Sequence, residues 1–237
     1  MNSSRAVVAI DGPSGSGKSS TSRGVAQVLG LDYLDTGAMY RAMAWYMLDR
    51  GADLDDPAGI AALAGEPHLS SVTDPSAPAI SVDGRDVSEP IREAAVTGAV
   101  SAVAAVPQVR ERLVELQREV VRVSLANGRG IVVEGRDIGT VVLPDATAKI
   151  FLTADAEARA ARRALEDAGR SGADAPGHGD IAATAASLAQ RDAIDSGRAV
   201  APLRRADGAV QVDGTYQTLD EVIATIVEIV NEAAAAT

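Results

Sequence analysis

Apolar residues fall along the chain in two alternating patterns. Short unbroken apolar runs are each followed by a longer stretch in which apolar positions recur every three or four residues. "LDYLD" (31–35) and "GAVQVDG" (208–214) read as strands, and "AVVAID" (6–11), "GIVVEG" (130–135) and "AKIFLTA" (148–154) are runs of the first kind. They read as strands covered on both faces, as in a parallel sheet. The helical spacing appears in "KSSTSRGVAQVLG" (18–30), with Val25, Val28 and Leu29 as inner face and Gly30 as stop. It returns in "AMYRAMAWYMLDRG" (38–51), closed by Gly51 and carrying Trp45 toward the core. Pro107 opens a long helix with Val109, Leu113, Leu116, Val120 and Val123 at helical spacing. Asp155 is placed to cap "AEARAARRALEDAG". "IAATAASLAQRDAIDSG" is a further helix, and "TLDE" (218–221) is a capping box opening the last one. Strands alternating with helices predict an α/β fold built on a doubly wound parallel sheet.

Residues 52–107 interrupt that alternation. "AISVDGRDVS" (79–88) reads as a small hairpin about Asp83-Gly84, followed by two helical pieces. "GRSGADAPGHGD" (169–180) has the composition of a flexible loop. His178 within it and His68 beside Pro67 read as solvated residues, with no second ligand nearby. The expected organisation is one domain, with its core in about 1–51, 108–154 and 199–237. An inserted subdomain occupies about 52–107, and a helical lid about 155–198.

Hydrophobic residues make up 46% of 237, enough for a packed core. The chain has no cysteine, which removes disulfides and thiolate metal sites and favours a reducing, cytoplasmic setting. "AAVTGAVSAVAAV" (94–106) is too short to span a bilayer, and no basic segment precedes an apolar one at the start. Neither a membrane nor a signal peptide is expected. A formal net charge of −11 argues against a nucleic acid polymer as partner. A small nucleotide held by a local basic cluster remains compatible with it. Of the 22 basic residues only Lys18 and Lys149 are lysine, so a lysine at 18 stands out.

Lys18 belongs to "GPSGSGKS" (12–19), the G-x-x-x-x-G-K-[ST] pattern between a strand and a helix. The segment that can cradle phosphates runs from Gly12, Pro13, Ser14, Gly15, Ser16 and Gly17 through Lys18, Ser19 and Ser20, with a backbone amide to offer at every position but Pro13. Lys18 can reach β/γ oxygens, and the Ser19 hydroxyl can face Mg²⁺. This loop leaves three classes open: a small-molecule kinase, a P-loop GTPase-type switch, and a nucleotide-sensing module without turnover. None of the three asparagines, Asn2, Asn127 and Asn231, begins the N-K-x-D that reads guanine. Arginines supply a second anion site. Arg41 follows "DTGAMY", and Arg136-Asp137 follow a buried strand, where ligands of open α/β sheets bind. Arg159, Arg162 and Arg163 share one helix face, as do Arg191, Asp195 and Arg198. Arginines on a mobile segment suit phosphoryl transfer, which needs charge stabilisation and exclusion of water.

"AIDGPSGSGKSS", "LDTGAMYR", "VEGRDIGTVV", "KIFLTA" and "QRDAIDSGRAVAPL" occur in order from about residue 6 to about residue 230. Together they resemble the bacterial cytidylate kinases of the nucleoside monophosphate kinase group. The resemblance implies transfer of the ATP γ-phosphate to CMP or dCMP, with Mg²⁺, in pyrimidine nucleotide metabolism, by a monomer. Carried over residue by residue, it implies that Thr36, Arg110 and Asp137 contact cytosine. Tyr40, Arg41 and Arg136 would line the CMP sugar and phosphate, with Arg191 and Asp195 near the ribose. Lys18, Arg136, Arg159, Arg191 and Arg198 would be catalytic. Ser19, Asp35 and Glu134 would hold Mg²⁺, Glu134 through water. Position 36 carries Thr where Ser also occurs in the family, and position 134 carries Glu where Asp is familiar. The 169–180 loop is longer and richer in Gly and Ala than the family pattern.

Overall fold

The computed structural model describes residues 3–171, 178–197 and 203–236. Strand β1 (Val7–Asp11) lies at its centre, with Val8, Ala9 and Ile10 wholly buried. Next come α1 (Lys18–Leu29), β2 (Asp32–Asp35) and α2 (Thr36–Asp49). The 52–107 stretch holds α3 (Pro57–Leu63), the antiparallel strands β3 (Leu69–Val72), β4 (Ala79–Val82) and β5 (Arg85–Asp86), and α4 (Ala94–Ala105). The chain continues through α5 (Pro107–Ala126), β6 (Ile131–Gly135), a π-helical turn (Ile138–Val142) and β7 (Ala148–Thr153). Helices α6 (Ala156–Ser171) and α7 (His178–Ser196), strand β8 (Val210–Asp213) and helix α8 (Leu219–Ala236) complete it.

Five strands form one parallel sheet in the order β2-β6-β1-β7-β8. Side chains alternate across a strand, so β1, β2 and β6 each feed two cores, while β7 and β8 feed one. Val8, Ile10, Val132 and Ile150 pack with Val25, Ala26, Val222, Ile226 and Val230 of α1 and α8. Ala9, Leu34, Ile131 and Val133 face the other way, onto Met39, Met43, Met47, Val103 and Leu113. Burial on both faces explains the near-continuous apolar runs of β1 and β6. Because the strands are parallel, their C-terminal ends share one edge. The loops leaving Asp11, Asp35 and Gly135 therefore converge there.

Local signals account for the boundaries. Asp35 Oδ1 accepts from Ala38 N at 2.9 Å, so α2 begins at Thr36 rather than at 38. Asp155 Oδ1 caps α6 by accepting from Ala158 N. Thr218 and Glu221 form the capping box reciprocally, Thr218 N donating to Oε2 and Glu221 N to Oγ1. Asp83 and Gly84 both take positive φ, 51° and 80°, as a two-residue hairpin turn requires.

Other positions depart from expectation. Val28 is 64% exposed and Val123 47%. The buried stripe of α1 is Thr21, Ser22, Val25 and Ala26, and that of α5 is Val109, Leu113, Gln117, Val121 and Ser124. Val25, Leu29, Val109, Leu113, Leu116 and Val120 do pack on the cores, but small and polar residues hold further inner positions while Val28 and Val123 face out. Trp45 is half-buried against the core, with the Arg85 guanidinium 5.0 Å from its ring centroid. The 169–180 segment is helical at both ends, since α6 runs through Ser171 and α7 starts at His178. His178 is thus a first-turn residue rather than a loop residue, while 172–177 lie outside the described residues. Strand β3, "LSSV", has too little apolar content to be anticipated; pairing with β4 makes it a strand.

Candidate active site

The turn between β1 and α1 wraps tightly at the shared edge. A Cβ at Gly12 would lie 2.1 Å from the Leu152 carbonyl oxygen, so only glycine fits between this loop and β7. Gly17 holds φ 87°, which turns the chain into α1. Lys18 follows as the first residue of α1 and donates from Nζ to the Pro13 carbonyl at 2.7 Å. It is buried, and its pKa falls to about 7, first through desolvation and then through the charge of Arg136. Ser19 and Ser20 are exposed and face a cavity of about 460 Å³, while Ser16 is buried behind the loop. Gly12, Pro13 and Ser16 shape this loop without lining the cavity.

Across the same cavity, Glu134 and Asp35 sit side by side at the ends of β6 and β2. Glu134 is 3% exposed, and Tyr33 donates its hydroxyl to Oε1 at 2.5 Å. Burial and then the neighbouring Asp35 raise the Glu134 pKa, opposed by Lys18 and by hydrogen bonds from Tyr33 and Ser19. Thr36 donates its hydroxyl to the Glu134 carbonyl at 2.7 Å, which turns its lone pairs outward as acceptors. Arg41 approaches Asp35 at 3.4 Å. Arg110 and Asp137, both nearly buried, form an ion pair at 2.5 Å, with the Arg110 guanidinium 5.9 Å from the Tyr40 ring centroid. Arg136 donates from Nη1 to the Gly12 carbonyl at 3.0 Å, linking this wall to the root of the phosphate loop. The structure thus brings Lys18, Ser19, Asp35, Thr36, Tyr40, Arg41, Arg110, Glu134, Arg136 and Asp137 to one cavity.

Arg159 stands apart from that cavity. Its Nη1 donates to the Ser14 carbonyl at 3.0 Å and to Asp192 Oδ2 at 2.5 Å, so it ties the outside of the loop to α7. Arg163, one turn further along α6, lines the cavity instead, with Glu166 beside it. Arg191 and Asp195 belong to α7, but their side chains lie outside the described residues, as does all of Arg198.

Three further residues at the site were not singled out from sequence. Asp11 is 3% exposed and accepts from the amides of Ile138 and Gly139, both at 2.8 Å. Burial raises its pKa to about 6 against the pull of those two amides. An acidic residue ending an otherwise apolar strand was the available signal. Tyr33 gave none, since an aromatic in a strand reads as core. Arg23 lines the cavity and donates from Nε to the Pro75 carbonyl at 2.9 Å. With Gln27 Nε2 on the same carbonyl at 3.4 Å and Tyr33 N on Thr73 O at 2.9 Å, it fastens the β3–β4 loop to α1. Arg23→Met should speed amide exchange across 73–78 in the ligand-free protein, as measured by mass spectrometry. Unchanged exchange there would show that the loop is held by other contacts.

A phosphate loop at the central strand of a parallel sheet, facing a second basic pocket across one cavity, defines a P-loop kinase. A family model for cytidylate kinase matches residues 8–232. A cytidylate kinase of Streptomyces avermitilis is 57% identical over 97% of this chain and 94% of its own length. One from Streptomyces griseus is 56% identical over 96% and 93%. The chain therefore belongs to the cytidylate kinase family. Among solved structures, a sugar kinase from Janibacter superposes over 98% of this chain and 97% of its own with a TM-score of 0.50 at 15% identity, a likeness of fold.

Proposed function

We propose that the cavity holds CMP or dCMP end-on to ATP and that the two walls divide the work between donor and acceptor. The protein transfers the γ-phosphate of ATP to CMP or dCMP, giving CDP or dCDP and ADP. The observation that carries this reading is that the phosphate loop and the Arg110–Asp137–Thr36 wall open on one cavity. A GTPase-type switch needs no such acceptor wall.

Cytosine presents an N4 amino donor with N3 and O2 acceptors. Asp137 and Thr36 accept from the amino group, and Arg110 donates to N3 and O2. Tyr40, Arg41 and Arg136 take the sugar and phosphate. Lys18, drawn off the Pro13 carbonyl, meets the transferring phosphoryl group, with Arg136 and the lid arginines adding positive charge where negative charge collects. Arg159, Arg191 and Arg198 belong to that lid contribution, with Arg191 and Asp195 also near the ribose, and Arg163 joins them from the cavity wall. Closure of α6 and α7 over the site would exclude water before transfer.

Ser19, Asp35 and Glu134 suit Mg²⁺. Among the described residues no cluster of three or more His, Cys, Asp or Glu is placed to hold a metal by itself. Two carboxylates and a hydroxyl beside a phosphate loop nevertheless match an ion that keeps several waters and shares substrate phosphates. When bound, it would neutralise charge between the β- and γ-phosphates. Among the described residues no helix is long and apolar enough to cross a membrane. A cytoplasmic monomer acting in pyrimidine nucleotide metabolism fits the reading.

A coupled ADP-release assay with ATP and CMP, dCMP, UMP, AMP or shikimate tests it. CMP and dCMP should give by far the highest kcat/KM. Preference for AMP or shikimate, or ADP release independent of any acceptor, would overturn it.

A further inference from the structure

The helical turn Ile138–Val142 receives no help from its own N-cap residue, because Asp137 makes no side-chain bond to its amides. An aspartate in that position ordinarily accepts from the second or third amide of the helix it precedes. Here the carboxylate points the other way, with Oδ2 2.5 Å from Arg110 Nη2. The first two amides of the turn are satisfied all the same. Ile138 N donates to Asp11 Oδ1 and Gly139 N to Asp11 Oδ2, each at 2.8 Å. Asp11 is 3% exposed and reaches the turn from the far end of β1, where the phosphate loop begins.

We infer that Asp11 is a positioning residue for the acceptor pocket: by capping the 138–142 turn in place of Asp137, it keeps the Asp137 carboxylate in the cavity beside Arg110. The inference rests on the reading of Asp137 as a cytosine contact. The physical basis is competition for buried donors. Ile138 and Gly139 are buried, and a buried amide without an acceptor is costly. Without Asp11, the carboxylate next in the chain is Asp137, already at the N-cap. Turning it onto Gly139 would satisfy one of the two freed amides, leave Arg110 unpaired and remove the acceptor from the pocket. The phosphate loop need not move, because the backbone of β1 is held in register on both sides by β6 and β7.

The test is Asp11→Ala and Asp11→Asn, with Asp137→Ala in parallel. Each is assayed for kcat/KM on CMP and UMP and for the ATP KM, and crystallised without ligand. In Asp11→Ala the CMP:UMP preference should fall about tenfold, the loss of one hydrogen bond to a charged group. The ATP KM should change less than that preference, because Asp11 reaches Lys18 through its charge alone, and the Asp137 carboxylate should lie on the Gly139 amide. Asp11→Asn keeps one acceptor and should fall between Asp11→Ala and the unaltered protein. General destabilisation would lower activity on both acceptors alike and leave the preference intact. Asp137 remaining on Arg110 with an unchanged preference would overturn the inference. If Asp137→Ala leaves the preference intact, the base-reading assignment fails, while the crystal structure still decides who caps the turn. Should Asp11→Ala not fold, Asp11→Asn and amide exchange in the unaltered protein decide. Ile138 and Gly139 must then be among the slowly exchanging amides, and fast exchange would sink the capping role.

Discussion

Lys18→Ala should lower kcat about a hundred- to a thousandfold, the loss expected when one preorganised charge is removed from a developing anion. The apo structure adds a second, less obvious expectation. Lys18 sits buried with its charge disfavoured by desolvation and by Arg136 and only partly offset by Glu134, Asp11 and Asp35, and it donates to the Pro13 carbonyl at 2.7 Å. The net effect of burial outweighs those carboxylates and lowers its pKa to about 7, so holding the cation there works against folding of the empty protein. Lys18→Ala should therefore keep or raise the Tm of the ligand-free protein while losing much of the stabilisation that ATP confers on the native one. The two readouts are a Tm with and without ATP and a turnover number at saturating acceptor. Near-normal turnover would remove Lys18 from the role assigned to it, and a large drop in the ligand-free Tm would show that its cation supports the empty fold.

The second large effect concerns the Arg110–Asp137 pair. Both side chains are nearly buried, at 10% and 9% relative exposure. Removing one partner strands the other as an uncompensated charge, a loss of about 3–5 kcal/mol in comparable buried pairs. Arg110→Met and Asp137→Ala should thus each lower stability, and the double variant should recover part of it because no charge is then left alone. Specificity should behave differently. UMP replaces the N4 amino donor with a carbonyl and the N3 acceptor with N–H, so Asp137 would face an acceptor and Arg110 a donor. A site organised around hydrogen bonds rejects such a mismatch by roughly 10²-fold or more. Each single variant should lose kcat/KM on CMP far more than on UMP, with little change in the ATP KM, and the double variant should recover none of the preference. Equal losses on CMP and UMP in both single variants would mean that the pair supports the fold without reading the base.

Much of this was legible along the chain because it depends on local spacing. The two central strands β1 and β6 are nearly unbroken apolar runs, since burial on both faces leaves little room for a polar position, whereas β8, with only Val212 buried, keeps Gln211 within it. The phosphate loop shows itself because its glycines, lysine and serine are adjacent in sequence and each meets a separate backbone or anion requirement. Caps at Asp155 and at Thr218 with Glu221 are equally local. Apolar identity and burial part company at a few helix positions. Gln117 and Ser124 face inward on α5 while Val123 faces out. The eye follows hydrophobicity, but the helix packs by position.

The order in which the strands lie, β2-β6-β1-β7-β8, is a tertiary result, and the composition of the cavity follows from it. Placing β6 between β2 and β1 sets Glu134 beside Asp35 and lets Tyr33 reach it. The same placement carries the turn after β6 over Asp11, so that a residue at position 11 caps a helix beginning at 138. No spacing rule joins residues 127 positions apart. The sequence by itself determined the fold class, the donor loop and the supply of arginines, because those requirements are met by neighbours in the chain. Only the tertiary structure decided that Arg163 enters the cavity while Arg159 grips Ser14, because the two differ by one turn of the same helix and its packing chooses between them.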